Sequence, residues 1–185
     1  KWSGEKIVSA NNTLTYVELN TASLSDKRFM IVSRDITGKK KAEQEIKEMN
    51  DRLRSIISAS PAAIILLETD GSVGQIWNEA AEKIFLWKKE EVTGKLLPII
   101  PEEKMNEFFS FLNILKSGEA VSGIEVTRRR KDGTIAHLHL SAAPIFDGNG
   151  NVRQVVGVMS DITEKVNVSE ELKASEKKLR LLAQH

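Results

Sequence analysis

The middle of the chain alternates between short apolar runs and turn signals. Residues 62–69 form a run rich in Ile and Leu between Pro61 and the turn pair Asp70-Gly71, and residues 73–77 lead back from that turn. Apolar runs bounded by turn residues predict strands. Three later runs share this form, and the turns between them at 131–133 and 147–150 are rich in Asp and Gly. These three predicted strands cover residues 120–129, 134–145 and 152–161.

Between the second and third predicted strands the apolar spacing becomes helical. Asn78 can cap a helix that begins at Glu79, because its side chain can accept from a free backbone N–H group. A short turn is predicted at 88–92, and a longer helix at 102–116 ends before Gly118. The longer helix has its apolar residues at helical spacing; they are Met105, Phe108, Phe109, Leu112 and Leu115. The order of elements predicts an α+β fold, a five-stranded antiparallel sheet with helices on one face.

A repeat divides the chain. Asp35-Ile36-Thr37 recurs 126 positions later as Asp161-Ile162-Thr163, and each copy is followed by a helical pattern. Both helical patterns carry an alternating four-and-three apolar spacing typical of a coiled-coil seam. The first seam is Ala42, Ile46, Met49, Leu53 and Ile56, and the second is Val168, Leu172, Ser175, Leu179 and Leu182. Seams this short need a partner helix, so we expect a homodimer through helices 38–60 and 164–185, although docking of each helix on its own domain is an alternative.

The repeat predicts four segments. Residues 1–37 are expected to be the C-terminal strands of a preceding, incomplete domain, since three strand patterns without helices cannot cover both faces of a sheet. Residues 38–60 are the linker helix, residues 61–163 a complete domain, and residues 164–185 an outgoing helix. His185 lies at the repeat equivalent of Ala59, so we expect another module to follow rather than a phosphoacceptor histidine.

Composition excludes several functions. The chain contains no cysteine, which excludes disulfides, zinc–thiolate sites, c-type haem attachment and cysteine nucleophiles. The net charge of +1 and the mixed charges give no indication of nucleic acid as a partner. No apolar run approaches the roughly 18–20 residues of a membrane span, so we expect no membrane contact in this segment and a cytoplasmic location. The basic run at 128–131 is interpreted as a solvated turn.

The ordered motifs resemble those of the PAS domain family over about residues 61–164. The residues that carry the resemblance are Asp70-Gly71, Asn78, Ala80-Ala81, Ile84-Phe85, Val92-Thr93-Gly94-Lys95, 130–133, 141–144, 147–150, Val156-Gly157 and 161–164. The resemblance implies a sensory or relay module rather than an enzyme, in tandem with other PAS or kinase domains of a signalling protein such as a sensor histidine kinase. One departure is Leu86-Trp87, since many relatives carry Gly directly after the aromatic residue at Phe85.

The resemblance also implies where function would reside. In the family the Asp-Ile-Thr motif couples the last strand to the outgoing helix, a role that falls here to Asp161 and Thr163, and to Asp35 and Thr37. Ligands of the family lie between sheet and helices. Candidate pocket residues, which are also ordinary core residues, are Ile76, Asn78, Phe85, Phe109, Leu138, Leu140 and Val156.

Three functional alternatives stay open at this point. The module could relay a signal, serve as a ligand-free spacer or dimerisation module, or bind a non-covalent flavin or a small metabolite. A cysteinyl-flavin photosensor is excluded because the chain has no Cys, and the lack of His in residues 79–118 argues against b-type haem. His137 and His139 are assigned to the outward face of their strand, and no metal site is expected.

Overall fold

The computed structural model describes residues 2–10, 13–24 and 28–182 and divides the chain into two compact units, residues 1–55 and 56–185. The predicted turns at 11–12 and 25–27, and His185, lie outside the described residues. Each unit contains its own sheet.

The first unit contains a three-stranded antiparallel sheet in the order β1-β2-β3. Strand β1 is Trp2–Ala10, β2 is Thr13–Ser23 and β3 is Phe29–Asp35. Helix α1, Thr37–Ala59, begins two residues after β3 ends. The sequence predicted three strands here, at 6–9, 13–22 and 28–33, and the helix; the observed β1 is longer at both ends, and β2 and β3 extend further at their C-terminal ends. Every residue of β3 is exposed to solvent, and α1 contains no buried residue.

The second unit contains a five-stranded antiparallel sheet in the order β5-β4-β8-β7-β6. Its strands are β4, Ala63–Glu68; β5, Val73–Trp77; β6, Val121–Arg129; β7, Ile135–Phe146; and β8, Val152–Asp161. Its helices are α2, Glu79–Phe85; α3, Lys89–Val92; α4, Met105–Lys116, preceded by a 3-10 turn at Glu102–Lys104; and α5, Thr163–Leu182. The α+β fold class is confirmed, and each predicted strand of this unit lies within one residue of its observed bounds.

The core of the second unit lies between one face of the sheet and the helices α2 to α4. Alternate residues of β7 and β8 point into it, as the period of two requires. The largest fully buried side chains are Phe85, Ile99, Leu138, Met159, Val73, Val92 and Val155. Leu138 and, on the same face, Ala142 are buried, while His139 on the opposite face is exposed as predicted.

Helix α2 ends in a strained conformation. Leu86 follows the helix with φ 62° and ψ 15°, the left-handed region, and its N–H donates to Glu82 O at 2.9 Å. Glycine normally occupies this C-terminal position because other residues pay for the contact between Cβ and the carbonyl oxygen. The departure noted in the sequence is therefore a leucine at a position whose backbone favours glycine.

Candidate functional site

A polar junction joins β8 to α5. Asp161 Oδ1 accepts from Thr163 N at 2.9 Å and Asp161 Oδ2 accepts from Arg130 NH2 at 2.8 Å. Thr163 Oγ1 accepts from His137 N at 2.9 Å, and Ile162 N donates to His137 O at 2.8 Å. The first turn of α5 is therefore bonded to β7 and, through Asp161, to the hairpin between β6 and β7.

Arg130 is the member of this junction that the sequence did not assign. Its side chain is largely buried, and NH2 also lies 3.4 Å from Thr163 Oγ1. Charge-assisted hydrogen bonds of this kind are stronger than neutral ones and hold a planar geometry. The signal available in the sequence was the basic run itself, but nothing in its pattern showed that one arginine faces Asp161.

The junction between β3 and α1 repeats this geometry. Asp35 Oδ1 accepts from Thr37 N at 2.8 Å, and Thr37 Oγ1 accepts from Tyr16 N at 2.9 Å. Ile36 N donates to Tyr16 O at 2.8 Å. The hydrogen bonds that Thr37 makes to the Asp35 carboxylate hold the pKa of Asp35 below its ordinary value. The structure thus brings the predicted residues together as two matching junctions.

The two junctions differ at one position. In the second unit Thr127 pairs with His137, and in the first Ile7 pairs with Tyr16. Arg130 follows Thr127 at the same distance along the chain as Ala10 follows Ile7, so the two positions correspond. The first unit thus has alanine where the second has arginine. The arginine that bonds the aspartate of the second junction therefore has no counterpart at the equivalent position of the first.

Asn78 connects the incoming helix to the core of the second unit. Its Oδ1 accepts from Ala81 N at 3.0 Å, which caps α2 as predicted, and from Ile64 N at 2.9 Å. Its Nδ2 donates to Ile57 O at 2.9 Å and to Ala62 O at 3.0 Å. All its hydrogen-bonding positions are used, and Ile57 lies in the last turns of α1. The side chain predicted as a pocket residue therefore binds backbone instead.

A small apolar cavity lies between α4 and the inner face of the second sheet. Its volume is about 50 Å³, room for a few water-sized groups. It is lined by Ile65, Leu67, Leu97, Ile100, Phe108, Phe111, Leu112, Leu115, Arg128, Leu140, Ala142, Val155, Gly157 and Met159. Leu140 is the one predicted pocket residue in this lining.

The other predicted pocket residues lie outside this lining. Phe109 is 41% exposed, because the face of α4 that meets the sheet carries Phe108, Leu112 and Leu115, and Phe109 lies about 100° away around the helix. Val156 points to the other face of β8 from its cavity-lining neighbours, and Ile76 is half-buried on β5. The remaining predicted residues, Phe85 and Leu138, are fully buried core outside this lining.

The basic run was wrongly interpreted as a solvated turn. Arg128 is only 3% exposed, with its NH1 2.8 Å from Thr127 O and 3.7 Å from Glu107 Oε1. Burial lowers the pKa of Arg128 from its ordinary value, and the nearby Glu107 carboxylate acts in the opposite direction. Period-two alternation would have placed residue 128 on the same face as the buried Val126, a signal that the basic composition obscured.

Lys131 is also held rather than free in solvent. Its ammonium pairs with the Glu91 carboxylate and lies 5.0 Å from the centre of the Trp87 ring. Trp87 in turn accepts at its carbonyl oxygen from Trp77 Nε1 at 3.0 Å. Trp87 therefore shapes the surface between α2, α3 and the hairpin, and it does not line the cavity.

Two kinds of site are absent from the described part of the chain. Across residues 2–10, 13–24 and 28–182, no group of three or more His, Asp or Glu side chains is arranged to hold a metal ion. Over the same residues, no helix has the length and apolar character to cross a membrane.

Comparison with known proteins agrees with this architecture. The model of the PAS fold matches residues 51–162. Sensor protein FixL of Bradyrhizobium diazoefficiens is 30% identical over 135 residues, which cover 70% of this chain and 26% of that protein. The chain thus spans about a quarter of the length of that relative.

Solved structures show the same fold at lower identity. A PAS domain from Colwellia psychrerythraea is 20% identical with a TM-score of 0.56, over 63% of this chain and 98% of that one. The PAS domain of an HTR-like protein from Haloarcula marismortui is 18% identical with a TM-score of 0.57, over 66% and 99%. An RNA-binding Light-Oxygen-Voltage receptor is 20% identical with a TM-score of 0.58, over 74% and 39%.

The family match covers more than half of the chain and coincides with the five-stranded unit and the end of its incoming helix. This protein belongs to the PAS fold family.

Proposed function

We propose that this chain is a relay module of a larger signal-transduction protein, of the sensor histidine kinase kind, and that it performs no catalysis itself. The observation that carries the proposal is the junction at Asp161, Thr163 and Arg130. It bonds the end of β8, a strand whose buried residues line the cavity, to the first turn of the outgoing helix α5. A displacement of β8 is thereby passed to α5.

The incoming side has a matching connection. Asn78 holds the carbonyl of Ile57 near the end of α1 and also the start of β4 and α2. Both helices are thus bonded to the same core, one through Asn78 and the other through Thr163 and Asp161. This arrangement favours transmission of a signal from one helix to the other over a domain that is bonded to only one of them.

The two connecting helices have faces suited to a parallel dimer. On α1 the apolar residues Ile46, Met49, Leu53 and Ile56 are each at least 49% exposed. On α5 the residues Val168, Leu172 and Leu179 are each at least 59% exposed. Since apolar seams at heptad spacing are stabilised by a second helix, we propose that two copies of the chain associate through these helices.

A coupled-variant experiment tests the relay. Val155→Ala enlarges the cavity from its β8 wall, and the response is read as the change in amide exchange of the first turn of α5, around Val166. Arg130→Gln removes the charged bond to Asp161 and should abolish this response. Arg129→Gln is the matched control, because Arg129 is one residue away and exposed, with only a 3.5 Å contact to Glu103. An unchanged response in Arg130→Gln would refute the relay.

The cavity supports a second candidate function, the binding of a small apolar molecule. Its lining is almost wholly apolar, and about 50 Å³ suits a ligand of a few heavy atoms. Ligand pockets for larger molecules have volumes of roughly 300–1,000 Å³, so a flavin would require α4 to move away from the sheet. The small-metabolite alternative is therefore favoured over the flavin one.

Xenon or a short-chain alcohol can probe this candidate. Binding detected by chemical-shift changes at Leu140 and Met159 would support it if the signal is lost in Ala142→Leu, which fills the cavity. Shifts that persist in Ala142→Leu would place the probe elsewhere. No binding, together with a relay test that also fails, would leave the ligand-free spacer as the better account.

A further inference from the structure

The basic run 128–131 connects four other parts of the second unit at the end of the β6–β7 hairpin. Each of its side chains lies beside a carboxylate: the pairs are Arg128–Glu107 at 3.7 Å, Arg129–Glu103 at 3.5 Å, Arg130–Asp161 at 2.8 Å and Lys131–Glu91. In this order the carboxylates lie on α4, on the 3-10 turn before α4, at the end of β8 and on α3. Four consecutive residues thus link the helices that cover the sheet to the start of α5.

The backbone of the run is bonded to the helical side of the domain as well. Arg129 N donates to Ile99 O at 2.8 Å and Lys131 N donates to Phe85 O at 3.0 Å. Phe85 is the last residue of α2, and Ile99 is a fully buried residue between α3 and the 3-10 turn. Because β6 is an edge strand, these two N–H groups face away from β7 and can bind the helical side. The hairpin end is therefore fixed to that side by backbone and by charge.

Arg130 lies between these two residues and is bonded in the other direction. Its N–H donates to Thr134 O across the turn at 2.8 Å, as expected from the alternation of amide direction along an antiparallel strand. Its guanidinium binds Asp161, and NH2 also lies 3.4 Å from Thr163 Oγ1. One residue of the run thus binds the start of the outgoing helix, while its two neighbours hold the helical side of the domain.

Among the three ion pairs that the run makes with the helical side, the contact with α3 is the one best suited to carry a movement. Lys131 and Glu91 are in direct hydrogen-bond contact, and the Lys131 ammonium also lies 5.0 Å from the centre of the Trp87 ring. Val92, next to Glu91 on α3, is fully buried in the core. The contacts of the run with α4 and with the 3-10 turn are longer, 3.7 and 3.5 Å. A change in packing around Val92 therefore reaches the hairpin through Glu91 and Lys131.

We propose that α3 provides a second input to the α5 junction: a displacement of α3 moves the hairpin end through Lys131, and Arg130 carries the movement to Asp161. The inference rests on the proposed relay function, because it assigns another source of movement to the same junction. Its path is different, since the movement goes through the hairpin and not along β8. Two parts of the core, one beneath α3 and the other at the cavity wall of β8, then act on one outgoing helix.

Charge reversal tests this path. Lys131→Glu places a carboxylate beside Glu91 and repels α3 from the hairpin. We expect the amide of Val166, which closes the first turn of α5, to exchange about threefold faster in this variant, a modest change because ion pairs of this exposure are weak. Adding Glu91→Gln removes the repulsion, and the glutamine can still accept from Lys88 N, as Glu91 does at 2.9 Å. The double variant should therefore exchange more slowly at Val166 than Lys131→Glu alone. In an Arg130→Gln background neither change should alter the rate.

Lys83→Glu is the matched control, because Lys83 lies on α2 in a similarly exposed pair, with Glu79 at 3.9 Å, outside the basic run. It should leave the Val166 rate unchanged. An equal acceleration in Lys83→Glu would overturn the proposal, since it would reflect a general loss of stability. An unchanged rate in Lys131→Glu, or the same acceleration with and without Arg130, would overturn it as well.

The response to Val155→Ala separates this inference from the relay along β8. If that response is intact while Lys131→Glu has no effect, the α3 input is wrong and the β8 relay stands. If that response is lost while Lys131→Glu acts through Arg130, the β8 relay is wrong and the α3 input stands.

Discussion

The left-handed backbone at Leu86, at the end of α2, can be tested by comparing the stabilities of glycine and alanine variants at this position. Backbone strain predicts that the glycine variant is the more stable one. Replacing Leu86 by Ala or by Gly removes the same exposed leucine side chain, so the difference between the two variants isolates the backbone. Leu86 has φ 62°, a conformation that costs a residue with Cβ about 1–2 kcal/mol. Glycine avoids this cost, but part of the stability gained is offset because glycine has a greater chain entropy in the unfolded state, worth about 0.5–1 kcal/mol.

We therefore expect Leu86→Gly to be more stable than Leu86→Ala by about 0.5–1 kcal/mol. Lys83 provides the matched control, because it lies within α2 and is exposed. There the order should reverse, with the glycine variant less stable than the alanine variant by about 1 kcal/mol.

The assay is urea unfolding followed by the fluorescence of Trp77 and Trp87, in a Trp2→Phe background so that only the second unit is observed. Both tryptophans contact the end of α2, since Trp77 packs against Phe85 with ring centres 5.5 Å apart. In thermal unfolding, a free-energy difference of about 0.5–1 kcal/mol corresponds to a shift of roughly 1–4 °C in the unfolding temperature of a protein of this length. If alanine proves as stable as glycine at position 86, the argument from backbone strain is wrong.

Three further predictions concern single side chains of the second unit. Asn78→Ala should cost about 2–4 kcal/mol, since it removes a helix cap and leaves buried backbone groups without partners; urea unfolding measures the loss, and a cost below about 1 kcal/mol would contradict the four-bond arrangement. The hydrogen bond from the Lys88 side chain, and after it that from Lys89 N, holds the pKa of Glu82 below its ordinary value of 4.5. The ionised Glu82 carboxylate therefore stabilises the fold fully above pH 4.5, and this contribution is lost as the pH falls through the lowered pKa. The stability difference between wild type and Glu82→Gln, measured as a function of pH, should therefore shrink in acid, and a difference that stays constant would exclude this titration. Arg128→Met should be neutral or stabilising, because a buried ion pair is often no better than apolar packing and Glu107 keeps Lys104 at 3.2 Å; thermal unfolding measures the change, and a loss above about 2 kcal/mol would show that the guanidinium is needed.

The sequence predicted the elements of the second unit closely because turn chemistry is local. Asp-Gly and Asn-Gly turns and the cap at Asn78 depend on a few neighbouring residues, and each was found where the pattern placed it. The matching junctions at Asp35 and Asp161 were also visible, since a repeat of identical residues requires no knowledge of packing.

The lining of the candidate cavity was less predictable, because it depends on which of two adjacent apolar residues on a helix or strand faces inward. Phe108 and Phe109 are equally apolar, and only contact with the sheet decides which of them faces inward. Val155 and Val156 present the same ambiguity on a strand, where a shift of one residue exchanges the faces. Arg128 was misjudged for another reason, since its burial depends on how α4 packs against β6 and the charge of its neighbours gave the opposite indication.

The placement of Arg130 has a similar origin. It depends on a group distant in the chain, Asp161, which lies 31 residues from the arginine. Local patterns specify the elements, while long-range pairings specify their partners.

The matching hydrogen bonds of the two junctions make them a natural splice point. Each closes its matching bonds between the last two strands of its sheet sequence and the start of the following helix, with Tyr16 and His137 in the same role. A helix joined after either aspartate therefore meets the same backbone acceptor and donor. Excising residues 36–161, so that Asp35 is followed directly by Ile162, should leave the exit of the chain from its sheet unaltered. Domains built in this way can be added, removed or exchanged along a polypeptide without redesign of the connection between them.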